Sequence, residues 1–178
     1  MRALSAFRRR TATGRFVAVS GVVYLVSQLA IGHILDPLGP LDVLRAQTTL
    51  DPSVVAAIFA RWREQHLMDA YVRHYFLDFV HPALYAAFLG ASLSLLLDRN
   101  RLSPSWNVIL LLPIVAALCD LLENVSHVAF LVDRANLTPA RVAVSGIAAI
   151  AKWLLAAGSL AAIALLALRA RTTGKVRA

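Results

Sequence analysis

The sequence predicts an all-α fold: a four-helix transmembrane bundle with an additional amphipathic interfacial helix between helices 1 and 2. Three observations carry the prediction. Of the 178 residues 59% are hydrophobic, with a mean hydropathy of +0.67, too apolar for a soluble domain with one core. Four apolar stretches, 16–32, 75–97, 108–132 and 142–168, approach or exceed the roughly 20 residues that cross a hydrocarbon layer. The basic residues fall mainly on one side of those stretches, as the topology of a polytopic protein requires.

The first stretch follows Arg2, Arg8, Arg9, Arg10 and Arg15. A basic start before an apolar run also suits a cleavable leader, but no small-x-small cleavage site follows Ile31, so a retained span is expected. The long connection 33–74 begins with a turn-rich piece, Asp36-Pro37-Leu38-Gly39-Pro40. Asp51-Pro52 then pairs a good N-cap with proline at the first helical position. Val54, Val55, Ile58, Phe59 and Trp62 recur on one face, which predicts an amphipathic helix over 52–66 lying on the outer membrane surface. In the second stretch Pro82 removes a backbone hydrogen bond and favours a kink, as does Pro113 in the third. Ser103-Pro104 and Thr138-Pro139 supply starts for the third and fourth helices. The whole chain, 1–178, reads as a single membrane domain.

With Arg99 and Arg101 between helices 2 and 3, and Arg169, Arg171, Lys175 and Arg177 after helix 4, one side carries 11 basic residues. The other carries 6: Arg45, Arg61, Arg63, Arg73, Arg134 and Arg141. Both termini are therefore expected to be cytoplasmic, in a multi-pass protein of a bacterial inner membrane. The net charge of +8 is explained by topology and by anionic headgroups, so membrane lipids are expected partners and nucleic acid is not. Cys119 is the single cysteine and excludes an intramolecular disulfide.

Ionisable groups inside the spans mark the candidate site, because charge in hydrocarbon costs roughly 2.5–3.5 kcal/mol per residue even on the lenient scale. Asp78 and His81, with Tyr85 four residues on, share a face of helix 2; Asp120, Glu123, Asn124 and His127 form a stripe on helix 3; Lys152 lies in helix 4. Counting along helices of alternating direction puts them at similar depth in the outer half of the bundle. The binding pocket is thus expected to comprise Asp78, His81, Tyr85, Asp120, Glu123, Asn124, His127 and Lys152, with Trp153 as an aromatic wall. Three carboxylates against one lysine leave two negative charges to be met by protons, by histidine or by a bound cation.

Four readings fit this pattern. One is an internal network that only fixes packing. Another is a pocket for a lipid-like or cationic small molecule. A third is a metal-dependent membrane hydrolase using Asp78-x-x-His81 and Glu123-x-x-x-His127, a weak spacing without a Cys pair or His-Glu-x-x-His motif. The fourth is a proton-coupled transport component, for which four helices would require a homodimer. The small-molecule pocket is the reading the residues favour, with no cofactor and no resident metal expected; whether the protein turns over a substrate is left open by the sequence.

Asp78-Phe79-Val80-His81-Pro82-Ala83-Leu84-Tyr85 and Asp120-Leu121-Leu122-Glu123-Asn124 resemble the motifs Asp-x-x-x-Pro-x-x-Tyr and Asp-x-x-Glu-Asn of bacterial four-helix integral membrane proteins. The similarity covers 50–153, with His81 standing where that group commonly has an aromatic residue. It implies the fold and carries no activity. The buried carboxylates are also similar to those in the cavities of sterol-isomerase and sigma-2-receptor type membrane proteins, an analogy for the small-molecule reading.

Overall fold

In a computed structural model the chain is described over residues 2–175, with side chains through residue 172; the basic side chains of Lys175 and Arg177 lie outside the described residues. Most of the described residues are helical, with no strand among them. Three helical segments are long and apolar enough to cross a membrane: Gly14–Leu38, Pro104–Val132 and Pro139–Thr172. A fourth span arises if the bent pair Met68–Asp78 and His81–Arg99 counts as one. This is a multi-pass membrane protein.

Helix α1 (Arg2–Thr11) was legible in the sequence only as a basic stretch. Helix α2 (Gly14–Leu35) extends past the expected 16–32 at both ends and buries only Ile31. Val19, Val22, Val26 and Leu29 are all more than 60% exposed, a surface that only an apolar solvent can cover. A 3-10 turn (Asp36–Leu38) follows, and Gly39 at φ +78° makes the corner that a side-chain-bearing residue would resist.

Helix α3 (Pro40–Thr48) occupies what the sequence presents as the end of a turn-rich piece. Its cue is short, proline at N1 and burial of Val43, Ala46 and Gln47 on one face. Helix α4 (Pro52–Glu64) realises the segment predicted over 52–66, with the Asp51 carboxylate accepting from Ser53 N at 2.8 Å. Those side-chain and backbone bonds from Ser53 hold the Asp51 carboxyl below its ordinary value. The apolar stripe of α4 (Val55, Ile58, Phe59 and Trp62) is buried in protein core, and Trp62 Nε1 donates to Leu38 O at 3.2 Å.

The stretch expected as one helix over 75–97 is instead α5 (Met68–Asp78) and α6 (His81–Arg99), bent by 46° at Phe79-Val80. The cause is Pro82. It has no N–H for the carbonyl of Asp78, four residues back, and its ring crowds that carbonyl. The ladder tightens before the break, Val80 N bonding Leu77 O at 3.0 Å. Pro113 does not repeat this. A 3-10 segment (Pro104–Leu110) precedes α7 (Leu111–Val132), so Pro113 lies in the first turn, where the N–H has no intrahelical partner to lose. After a 3-10 turn (Arg134–Asn136), α8 (Pro139–Lys175) begins at the expected proline.

The chain divides into two compact units. The first comprises residues 1–25, 83–117 and 153–178. In it Arg8 ties α1 down, donating to Asp98 at 2.6 Å, Asn107 at 2.9 Å and the Leu102 carbonyl at 3.1 Å. Its cores are built from Leu93, Leu96, Leu97, Leu110 and Leu166, and from Tyr85, Leu89, Ala116 and Ala117. The second unit, residues 26–82 and 118–152, packs α3, α4, α5, the later part of α7 and the start of α8 around Phe59, Trp62, Tyr71, Tyr75, Phe130 and Val142. The Asp42–Arg61 pair, 2.5 Å apart, joins α3 to α4 there.

Candidate functional site

Seven of the eight expected site residues belong to the second unit, and all seven are buried: Asp78, His81, Asp120, Glu123, Asn124, His127 and Lys152. Tyr85 belongs to the first unit, in the core around Leu89, Ala116 and Ala117. Trp153 also falls in that unit and is about half exposed.

Helix α7 presents Asp120, Glu123, Asn124 and His127 as one stripe because their spacings of three and four keep them on one face. Lys152 Nζ from α8 lies 2.8 Å from Asp120 Oδ1 and 2.7 Å from Glu123 Oε2. The ammonium is clamped between two carboxylates, and each charge in the triad is desolvated, so each depends on the others.

The next position on the stripe meets the helix break. Asn124 Nδ2 donates to the Asp78 main-chain oxygen at 3.0 Å. That oxygen is the one Pro82 leaves without a helical donor, so the α7 amide supplies the bond that proline removes. The two motifs of the sequence therefore interlock: the Asp-x-x-x-Pro stretch opens a gap in the ladder, and the Asn of Asp-x-x-Glu-Asn fills it.

At its far end the stripe enters an aromatic cluster. His127 Nδ1 lies 2.8 Å from Tyr71 Oη, and Tyr75 Oη donates to Tyr71 Oη at 3.0 Å. With Tyr75 donating inward, the Tyr71 hydroxyl donates to His127 Nδ1, and the neutral ring carries its proton on Nε2. Phe59 packs on both Tyr71 and His127. His74, also on α5, sets Nδ1 against the Tyr71 carbonyl oxygen and Nε2 3.8 Å from Asp78 Oδ2. His81 turns toward α2, its Nδ1 2.6 Å from Ser27 Oγ.

Tyr71, His74 and Tyr75 were missed because they precede or begin the apolar stretch. Their signal was present: with Asp78 they stand at i, i+3, i+4 and i+7, one helical face that continues the polar set. Among the described residues no group of three or more His, Cys, Asp or Glu side chains is arranged to hold a metal ion.

Beside Tyr75 an open groove of about 430 Å³ runs between α5 and α7, lined by Val72, Tyr75, Phe76, Phe79, Val128, Leu131 and Val132. Its surface is almost wholly apolar, and Phe76 and Val132 at its rim are 80% and 81% exposed. The chain matches no protein family, no curated protein and no solved structure in comparisons with each.

Proposed function

We propose that this protein is a four-span bundle of a bacterial inner membrane, with both termini cytoplasmic and α4 toward the outer surface, and that its second unit binds a lipid-like small molecule. The excess of basic residues beside the termini supports the orientation. The observation that carries the ligand is the groove between α5 and α7. Its volume falls within the range of small-molecule sites, about 300–1,000 Å³, and its lining offers hydrocarbon rather than hydrogen bonds. Asp120 and Glu123 already hold the Lys152 ammonium, so the geometry favours an apolar ligand over a cationic one. Tyr75 forms both the groove wall and the outer end of the Tyr75–Tyr71–His127 chain, giving the buried network one side chain that a bound ligand would press against.

The test compares lipids retained by detergent-purified protein. Val128→Trp fills the groove from α7, whereas Val125→Trp adds the same bulk at an exposed α7 position outside it. The proposal expects a specific lipid in wild type and in Val125→Trp, and its loss in Val128→Trp. Equal retention by all three proteins, or no enrichment over bulk membrane lipid, refutes it.

A further inference from the structure

The buried network holds one orphaned acceptor, His74 Nε2, which faces the carboxylate of Asp78. Nδ1 of His74 faces the Tyr71 carbonyl oxygen, and a carbonyl only accepts, so Nδ1 carries hydrogen. In a neutral ring Nε2 is then a bare lone pair. Nε2 is buried and has no hydrogen-bond partner among the described residues; Asp78 Oδ2 lies 3.8 Å away. Two acceptors thus face each other at close range. A water donating to both would hold them about 4.5 Å apart at ordinary hydrogen-bond lengths, more than the gap provides, and the buried Nε2 offers it no access.

We propose that His74 Nε2 and Asp78 Oδ2 form a proton-binding site that holds one proton between them at neutral pH. Without it the pair is imidazole and carboxylate, with a charge of −1. With it the pair is neutral, written as imidazolium–carboxylate or as imidazole–carboxylic acid. A closure of about 1 Å turns the 3.8 Å separation into a charge-assisted hydrogen bond, the kind of tightening that acid–base pairs undergo on engagement.

The surroundings supply a reason for the proton to reside here. Asp120 and Glu123 on α7 share Lys152 of α8, so the three carboxylates exceed the lysine by two charges, and a proton at Asp78 removes one. Like-charge repulsion from Asp120 favours that proton, whereas the Lys152 ammonium, which also faces Asp78 and His74, opposes it. Tyr71 and Tyr75 on α5 and His127 on α7 already complete an oriented hydrogen-bond chain and require no extra proton. His81 at the start of α6 is engaged with Ser27. Asp78 is also the last residue of α5, where a bare carboxylate faces the negative end of the helix dipole. Its carbonyl is the one Asn124 caps, so the proton is held directly at the break in the span. The site stands independently of any ligand in the groove.

The experiment is ¹⁵N NMR of histidine-labelled protein in lipid bilayers, with ¹³C-aspartate infrared spectra of the same preparation and His74→Asn to assign the His74 signals. At neutral pH the proposal expects either both His74 nitrogens protonated beside an ionised Asp78, or Nε2 accepting from a protonated Asp78. Asp78→Asn should abolish that signature and leave a neutral Nδ1–H ring. A neutral ring with bare Nε2 beside an ionised Asp78 in wild type at neutral pH overturns the proposal. So does a doubly protonated His74 that survives Asp78→Asn. If Asp78→Asn fails to fold, the wild-type spectra decide alone.

Discussion

Removing the Asn124 side chain should expose the gap that Pro82 opens between α5 and α6. In a continuous helix the Asp78 carbonyl would accept from the N–H of residue 82. Proline has none, and Asn124 Nδ2 occupies that role at 3.0 Å in a site where Asn124 is 1% exposed. Asn124→Ala leaves a buried acceptor unsatisfied, which costs about 1–3 kcal/mol. The decisive comparison uses Pro82→Ala, which returns the missing N–H. In that background Asn124→Ala should cost at least about 1 kcal/mol less, a coupling of the size contacting groups show. Denaturant titration of the four proteins in mixed micelles, followed by circular dichroism, measures the cycle. Additive effects, or an Asn124→Ala change within about 0.5 kcal/mol of wild type, would show that the Asn124 amide does not replace the N–H that proline lacks.

Lys152→Met should destabilise by about 3–5 kcal/mol, because it strands two buried carboxylates. Adding Asp120→Asn and Glu123→Gln should recover most of that loss in the same titration. At Gly146 a Cβ would collide with the Thr49 carbonyl oxygen and come within 2.9 Å of Leu50 Cδ2, so Gly146→Ala should cost about 1–3 kcal/mol. Gly158, in the same helix, has nothing within 4 Å of a Cβ; there the alanine should be neutral or stabilise by up to about 1 kcal/mol. Thermal scans of the two variants side by side check the contrast.

The parts of the site readable in advance were those written in one helical period on a long apolar background. Asp120, Glu123, Asn124 and His127 announce a common face by spacing, and Lys152 announces itself by being charged where charge is expensive. That the lysine bridges Asp120 and Glu123 needed three-dimensional placement of α8 against α7, which spacing within one helix does not contain. The break at Phe79-Val80 was only half readable. Pro82 signals a lost hydrogen bond, but whether a helix kinks and continues or stops and restarts depends on what replaces the bond, and the replacement comes from α7. Once α5 is separate and begins at Met68, Tyr71 and His74 join the polar face; an apolar stretch counted from residue 75 excludes them. Helix α3 escaped notice because a nine-residue element between turn signals is defined by the core it packs against, here with α4.

Asp120, Glu123 and Lys152 face one another in the protein interior. The composition of the chain makes this directly measurable, since it contains two lysines, Lys152 and Lys175, and two glutamates, Glu64 and Glu123. In bilayers, ¹⁵N-lysine and ¹³C-carboxyl labelling should show the Lys152 ammonium dipole-coupled to one glutamate and one aspartate carboxyl, at distances set by the 2.7 Å and 2.8 Å contacts. A Lys152 ammonium coupled only to water or lipid phosphate would contradict the account.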